Sequence, residues 1–386
     1  MNEVKLLDTK AVYVHVPFCE QICHYCDFNK FFLKNQPVDE YLSLCDQEIK
    51  NTVKVHPNHA ISSIYVGGGT PTSLTTLQLS KLLSSIKENF YTDRNVEWTV
   101  EVNPGSVDQE KLEMMREYGV NRLSIGAQTF HEDLLKKIGR DHQREDVFHT
   151  IELARKVGFH NLSIDIMFGL PKQTEEQFEE TLNILTRLPI EHISAYSLKV
   201  EERTVFYQLW NKGKLSLPGE DIEAKMYELL REKMKNNNFN QYEISNFAKN
   251  GYESSHNLTY WKNEPYFGIG AGAHSYVAQV RRINHGPLPK YMEAVKETGF
   301  PYREEHPVSR KEQMEEEMFM GLRKLAGVRH QDFQEKYHLN IEQAFPGVIQ
   351  DLIDRGLIQD NGVVIKLTES GLLLGNEVFE RFLLNE

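Results

Sequence analysis

The chain has 386 residues, enough to bury a sizeable core and to form more than one domain. Its formal net charge of −12 argues against a general affinity for nucleic acid or anionic membrane. Residues 1–8 lack the apolar run of a signal peptide and no segment reaches the length of a membrane span, so a cytoplasmic protein with reduced thiols is expected.

The first half repeats a short apolar strand followed by a helix. Strands are expected at 11–16, 61–66, 97–102, 122–127, 162–167 and 193–198, each rich in Val, Ile or Leu. Phe178, Leu182, Leu185 and Leu188 fall on one helical face between the last two. Thr75-x-x-Gln78, Ser106-x-x-Gln109, Thr129-x-x-Glu132 and Thr174-x-x-Gln177 each fit a capping box shortly after a strand. Alternating strand and helix implies right-handed crossovers and a parallel sheet. Six such units make an α/β fold, an open partial (β/α)6 barrel. Leu217-Pro218-Gly219 breaks the pattern, and a helix is expected from Asp221 to Asn236. An aromatic-rich stretch from Tyr242 to Tyr276 reads as irregular, and Phe300-Pro301 marks a further break. From Ser309 helices dominate, with a short hairpin around 362–367 and a last helix from Thr368. The expected division is a barrel core at 1–215, an extension at 216–300, and a mostly helical, winged-helix-like C-terminal domain at 301–386.

Cys19, Cys23 and Cys26 stand in a C-x3-C-x2-C run after the first strand. Three thiolates can hold three corners of an iron–sulfur cubane, leaving the fourth iron open to a small molecule. Low cysteine content and tight spacing argue against a disulfide framework. A zinc site with His15 or His24 as fourth ligand is the alternative, although the second cysteine pair usual for zinc is missing. Cys45, in a helix-like run, reads as a small buried apolar residue. In parallel barrels chemistry gathers at the C-terminal ends of the strands. Here those ends carry the cysteine loop, Gly67-Gly68-Gly69-Thr70-Pro71-Thr72, Glu101-Val102-Asn103-Pro104, Gln128, Asp165 with Phe168-Gly169-Leu170-Pro171, and Tyr196 with Lys199. The glycine run would let backbone approach a ligand closely.

With the cysteine loop after strand one and GGTP after strand two, the sequence resembles the radical S-adenosylmethionine (SAM) superfamily. The resemblance implies a 4Fe-4S cluster on Cys19, Cys23 and Cys26. It also implies SAM chelated to the open iron and cleaved to a 5′-deoxyadenosyl radical when the cluster is reduced. Tyr13–Cys19 (YVHVPFC), GGGTPT, EVNP, Gly126-Ala127-Gln128-Thr129 and the 165–171 run DIMFGLP are similar to the oxygen-independent coproporphyrinogen III oxidase branch, over most of the chain. That branch implies SAM contacts at Tyr13, Tyr25, Gly68, Gly69, Thr70, Glu101, Gln128, Arg140 and Asp165. Glu101 and Asp165 suit ribose hydroxyls or a cationic amine, and Arg140 suits a carboxylate.

Two features depart from the oxidases. They carry a further cysteine two positions after the third ligand, where this chain has Phe28. This chain also has an H-N-x-x-Y-W motif, His256-Asn257-Leu258-Thr259-Tyr260-Trp261. Both features, and the tail residues Leu367–Leu372 and Asn376–Phe379, resemble the HemW-type haem chaperones. That resemblance implies haem as a third cofactor and acceptor haem proteins as partners, with a homodimer and a peripheral membrane contact left open. His256 is the candidate axial ligand, with Tyr260 and Trp261 packed on the porphyrin; His274 is a weaker second. The bland reading of His256 is a hydrogen-bonded structural histidine. The competing function is the oxidase reaction, decarboxylation of two propionates of coproporphyrinogen III, so enzyme status stays open.

Overall fold

The computed structural model describes residues 8–57 and 60–384; the expectation about residues 1–7 lies outside them. The six expected strands form as Ala11–Val16 (β1), Ile61–Gly68 (β2), Thr92–Val102 (β3), Arg122–Gln128 (β4), Asn161–Phe168 (β5) and His192–Ser197 (β6). They pair in parallel in chain order. Successive side chains alternate between faces. Val12, Val14, Val16, Ile64, Val66, Val100, Leu123 and Ile125 belong to the apolar core. Register sets the intervening residues in rows: Tyr13, Tyr65, Thr99 and Arg122 in one, Glu101, Ser124, Ser163 and His192 in the next. The barrel is therefore apolar toward its helices and polar inside.

The stretch read as irregular holds several short strands and the helix Ser255–Trp261. Asn240–Glu243 (β7) and Asn246–Ala248 (β8) add antiparallel strands beyond β6. Tyr266–Ile269 (β9) runs parallel to β1 as a seventh parallel strand. His274–Val277 (β10), Val280–Asn284 (β11) and Tyr302–Pro307 (β12) follow it antiparallel. The full order is β12-β11-β10-β9-β1-β2-β3-β4-β5-β6-β8-β7. These later strands are short and glycine-flanked, so no strand–helix rhythm announces them.

Two of the four capping boxes form, at Thr75/Gln78 and Thr174/Gln177. The other two expectations are corrected. Asp108 caps Gln109–Tyr118 by accepting from Lys111 N, while Ser106 Oγ donates to Asn103 O at 2.5 Å. His131 is the N-cap residue of Glu132–Lys137, and Thr129 Oγ1 accepts from His131 N. Ser106 Oγ also meets Thr72 Oγ1 at 2.6 Å and Thr129 Oγ1 meets Thr181 Oγ1 at 3.5 Å, so each hydroxyl is engaged away from its expected helix. In the C-terminal region, helix Arg310–Gly321 is followed by Val328–Arg329 (β13), short helices, and the pair Ile358–Asp360 (β14) and Val364–Leu367 (β15). The three strands order as β13-β15-β14, a winged-helix-like arrangement. Among the described residues no helix is long and apolar enough to cross a membrane.

One buried carboxyl joins the later strands to the start of the barrel. Glu48, on helix Val38–Val55, accepts from Tyr291 OH at 2.6 Å, Asn284 Nδ2 at 2.8 Å and Gly270 N at 2.9 Å. Burial pushes its carboxyl up to about 7. On the same helix Tyr41 OH donates to His15 O at 2.7 Å, beside the cysteine loop. Glu48→Leu would strand three buried donors, each costing about 1–3 kcal/mol. Urea unfolding should therefore show a loss of about 3 kcal/mol or more.

Candidate functional site

The three cysteines sit on one loop over the C-terminal ends of β1 and β2, all as free thiols. The loop is stitched down by backbone: Gly69 N donates to Val16 O, Thr70 N to Phe18 O, and Leu33 N to Cys19 O. Asn29 Nδ2 reaches Ala271 O at 2.8 Å and Gly286 O at 2.9 Å, tying the loop to the later strands. His15 Nε2 donates to Asn29 O at 2.7 Å and Nδ1 accepts from Tyr13 OH at 2.9 Å. Burial lowers His15 to about 4, so it is neutral in this relay. Two of the sulfurs have a side-chain donor: Thr70 Oγ1 to Cys19 and Arg140 Nη1 to Cys23, both at 3.6 Å. Burial pushes the Cys26 thiol up to about 12 and raises Cys19. Among the described residues no three His, Cys, Asp or Glu side chains converge on one point, as a single ion requires. A cubane takes each thiolate on a different iron, and three free thiols on one loop, two of them with side-chain donors, fit such a group. Cys45 is fully buried on Val38–Val55, against Tyr291 OH.

The glycine run serves the loop. A Cβ on Gly69 would sit 2.8 Å from Phe18 O and 2.9 Å from Cys19 Sγ. Gly68, at φ +116°, would put one 2.4 Å from the His15 ring. The nearest neighbours of a Cβ at Gly69 thus lie in the cysteine loop, while Gly68 faces the His15 ring on β1. Gly68 N donates to Glu101 Oε2 at 2.9 Å and Tyr65 OH to Oε1 at 2.8 Å. Burial still raises Glu101 to about 7. Asp165 accepts from Ser124 Oγ at 2.9 Å and, also through burial, is raised. Gln128 ends β4 with φ +63°, beside Gly126. Arg140 Nη2 donates to Asn103 Oδ1 at 2.5 Å and Gly126 O at 2.6 Å. Tyr25 packs with Leu134, Leu135 and Ile138 beside Cys23. The cysteines, Tyr13, Tyr25, Gly68, Gly69, Thr70, Glu101, Gln128, Arg140 and Asp165 thus gather at one end of the barrel.

His256 is elsewhere. It opens helix Ser255–Trp261, whose start is held by Glu97: Ser255 N and His256 N both donate to its carboxylate at 3.1 Å. His256 is 1% exposed; Nδ1 meets Ser63 Oγ at 3.1 Å and Nε2 meets Tyr260 OH at 2.9 Å. Tyr65 stacks on its ring at 5.2 Å. Ser63 lies five residues before Gly68 on β2, so the helix plugs the opposite end, about 16 Å from the mouth at ~3.3 Å per residue. Trp261 lies under the Arg323 guanidinium at 4.3 Å. His274 begins β10 and is exposed.

Several residues here are silent in the sequence. Arg122 is 2% exposed inside the barrel, with a 3.4 Å bond to Thr99 Oγ1 and a partnerless Nε. His192 bonds Ser163 Oγ at 2.8 Å and Tyr242 OH at 2.9 Å. An arginine opening an apolar strand was the one available signal; the register of Ser163 and His192 was not.

The barrel and its cysteine loop define a class, and residues 13–185 match the radical SAM superfamily while residues 308–374 match the HemN C-terminal domain. Among solved structures, the coproporphyrinogen III oxidase HemN from Escherichia coli, a radical SAM enzyme, aligns with a TM-score of 0.86 over 98% of this chain and 91% of that one. At 24% identity this likeness establishes the fold. The heme chaperone HemW of Bacillus subtilis (strain 168) is 52% identical over 375 residues, covering 97% of this chain and 99% of its own length. HemW of Lactococcus lactis subsp. lactis is 41% identical over 376 residues, 97% of this chain and 98% of its own. The chain belongs to the HemW family of the radical SAM superfamily.

Gly69→Ala tests the packing of the loop. The added methyl meets backbone and sulfur at under 3.0 Å, so the loop must shift. A stability loss of about 1–3 kcal/mol is expected, with reduced iron and sulfide uptake on anaerobic reconstitution. Iron and sulfide analysis beside urea unfolding checks both.

Proposed function

We propose that this protein binds haem and passes it to acceptor haem proteins, carrying a 4Fe-4S cluster on Cys19, Cys23 and Cys26 and SAM at the barrel mouth. The observation that carries this reading is the separation of two sites. A haem held by His256 would sit at the plugged end, with Tyr65, which stacks on His256 and donates to Glu101, standing between it and the mouth. That layout suits binding and transfer better than decarboxylation of a porphyrin anchored at the motif. Phe28, standing where the oxidases have a cysteine and 63% exposed, supports the same choice. The relatives named heme chaperones support it independently.

Bound at the loop, a reduced cluster would supply an electron for cleaving the SAM sulfonium. The chain's own groups position and shield. Glu101 and Asp165 would accept hydrogen bonds from ribose or amine, with Tyr13, Tyr25, Gly68, Gly69, Thr70, Gln128 and Arg140 completing the site. His256 would ligate iron through Nε2 once Tyr260 OH moves away, while Ser63 holds Nδ1 and sets the tautomer. Burial, with the nearby Arg122 charge, lowers His256 to about 3, so its imidazole is neutral, as ligation requires. The domain division 1–215, 216–300 and 301–386, a cytoplasmic setting and a homodimer belong to the same reading.

Two measurements test it. Reconstituted protein should take up stoichiometric haem and yield no protoporphyrinogen from coproporphyrinogen III with SAM and reductant. His256→Ala should weaken haem binding and shift the Soret band with the cluster intact. Robust decarboxylation, or no haem binding, would overturn the reading. SAM affinity should also depend on pH through Glu101. Burial raises its carboxyl to about 7, and its proposed contacts favour the ionised form. Affinity should be flat above about 7 and fall by up to about tenfold per unit below it. Glu101→Gln should bind more weakly and lose that slope in equilibrium titrations.

A further inference from the structure

We infer that Thr70 and Arg140 act directly on the cluster thiolates, as positioning residues that raise the cluster's reduction potential. This rests on the reading that Cys19, Cys23 and Cys26 hold a 4Fe-4S cluster. The hydroxyl of Thr70 donates to Cys19 Sγ at 3.6 Å. Its backbone is pinned from both sides, since Thr70 N donates to Phe18 O at 2.7 Å and Thr70 O accepts from Ser73 Oγ at 2.7 Å. The hydroxyl proton is thereby aimed at sulfur.

Arg140 approaches the loop from the opposite side, with Nη1 on Cys23 Sγ at 3.6 Å. Its other nitrogens are occupied: Nη2 by Asn103 Oδ1 and Gly126 O, Nε by His142 Nδ1 at 3.3 Å. None of these partners is a carboxylate. The guanidinium charge is therefore set against a thiolate, with no anion among its hydrogen-bond partners to cancel it. Reduction adds negative charge to the cluster and to its sulfurs. A donor, and still more a fixed cation, stabilises the reduced form over the oxidised one. This duty needs no bound SAM, which separates it from a role in gripping the SAM carboxylate.

The test is an anaerobic redox titration of reconstituted full-length protein without SAM, followed by the electron paramagnetic resonance signal of the reduced cluster. Iron and sulfide are counted first. Thr70→Val keeps the shape and removes the donor; its reduced-to-oxidised ratio at a fixed poise should fall roughly tenfold, which is 59 mV for one electron. Thr70→Ser should titrate like wild type. Arg140→Gln, which removes the charge and keeps an amide donor, is the independent second variant and should fall at least as far. A full cluster with an unmoved midpoint in either Thr70→Val or Arg140→Gln overturns the inference. Wild-type protein that takes up no iron and sulfide overturns the cluster reading itself, and this inference with it.

Discussion

The close approach of the β2 terminus to the cysteine loop is the constraint on which the barrel mouth depends. Three consecutive glycines let main chain meet main chain where any Cβ would collide with His15, Phe18, Cys19 or Glu101. That approach lets Gly69 N and Thr70 N bond the loop, and it brings the Thr70 hydroxyl onto the Cys19 sulfur. It also turns Gly68 N toward Glu101, so the strand that clamps the loop orients the carboxylate of its neighbour. Asn29 and Tyr41 extend the clamp to the strands added late in the chain.

The inside of the barrel is polar from mouth to plug, which is costly unless every group is partnered. A directional chain partners many of these groups, though Arg122 Nε is left without one. Ser254 N donates to Tyr242 OH, which donates to His192 Nε2; His192 Nδ1 donates to Ser163, whose hydroxyl leans on Asp165 at 3.4 Å. Arg122 supplies the positive charge in this interior; together with burial it holds His192 and His256 neutral. The chain links the carboxylate at the mouth to the turn that starts the plug helix. The two ends of the barrel are thus physically continuous, although the groups expected to bind ligands lie at opposite ends.

Much of this was legible in the residues. The six strands of the barrel core were recoverable because each is a buried apolar run bounded by loop signals. The cysteines, the glycine run and the strand-end carboxylates were recoverable because a parallel barrel collects strand ends at one rim. The misreadings share one physical origin. Ser106 and Thr129 have the spacing of caps, yet their hydroxyls meet Thr72 and Thr181 from other elements. β9 is only four residues long and pairs with a strand some 250 residues earlier in the chain, so periodicity could not reveal it.

Residue types and spacing by themselves determined the local chemistry: three thiols on one loop, glycine where backbone must pass backbone, and an alternation that makes one face of each strand polar. Only the tertiary structure decided what those groups face. Gly69 faces the cysteine loop, Arg140 faces the Cys23 sulfur and an asparagine, and His256 faces a serine and a tyrosine at the far end of the barrel. The physical reason is that hydrogen-bond partners across a barrel are set by strand register and loop packing. Those are properties of many residues at once, and no short motif encodes them.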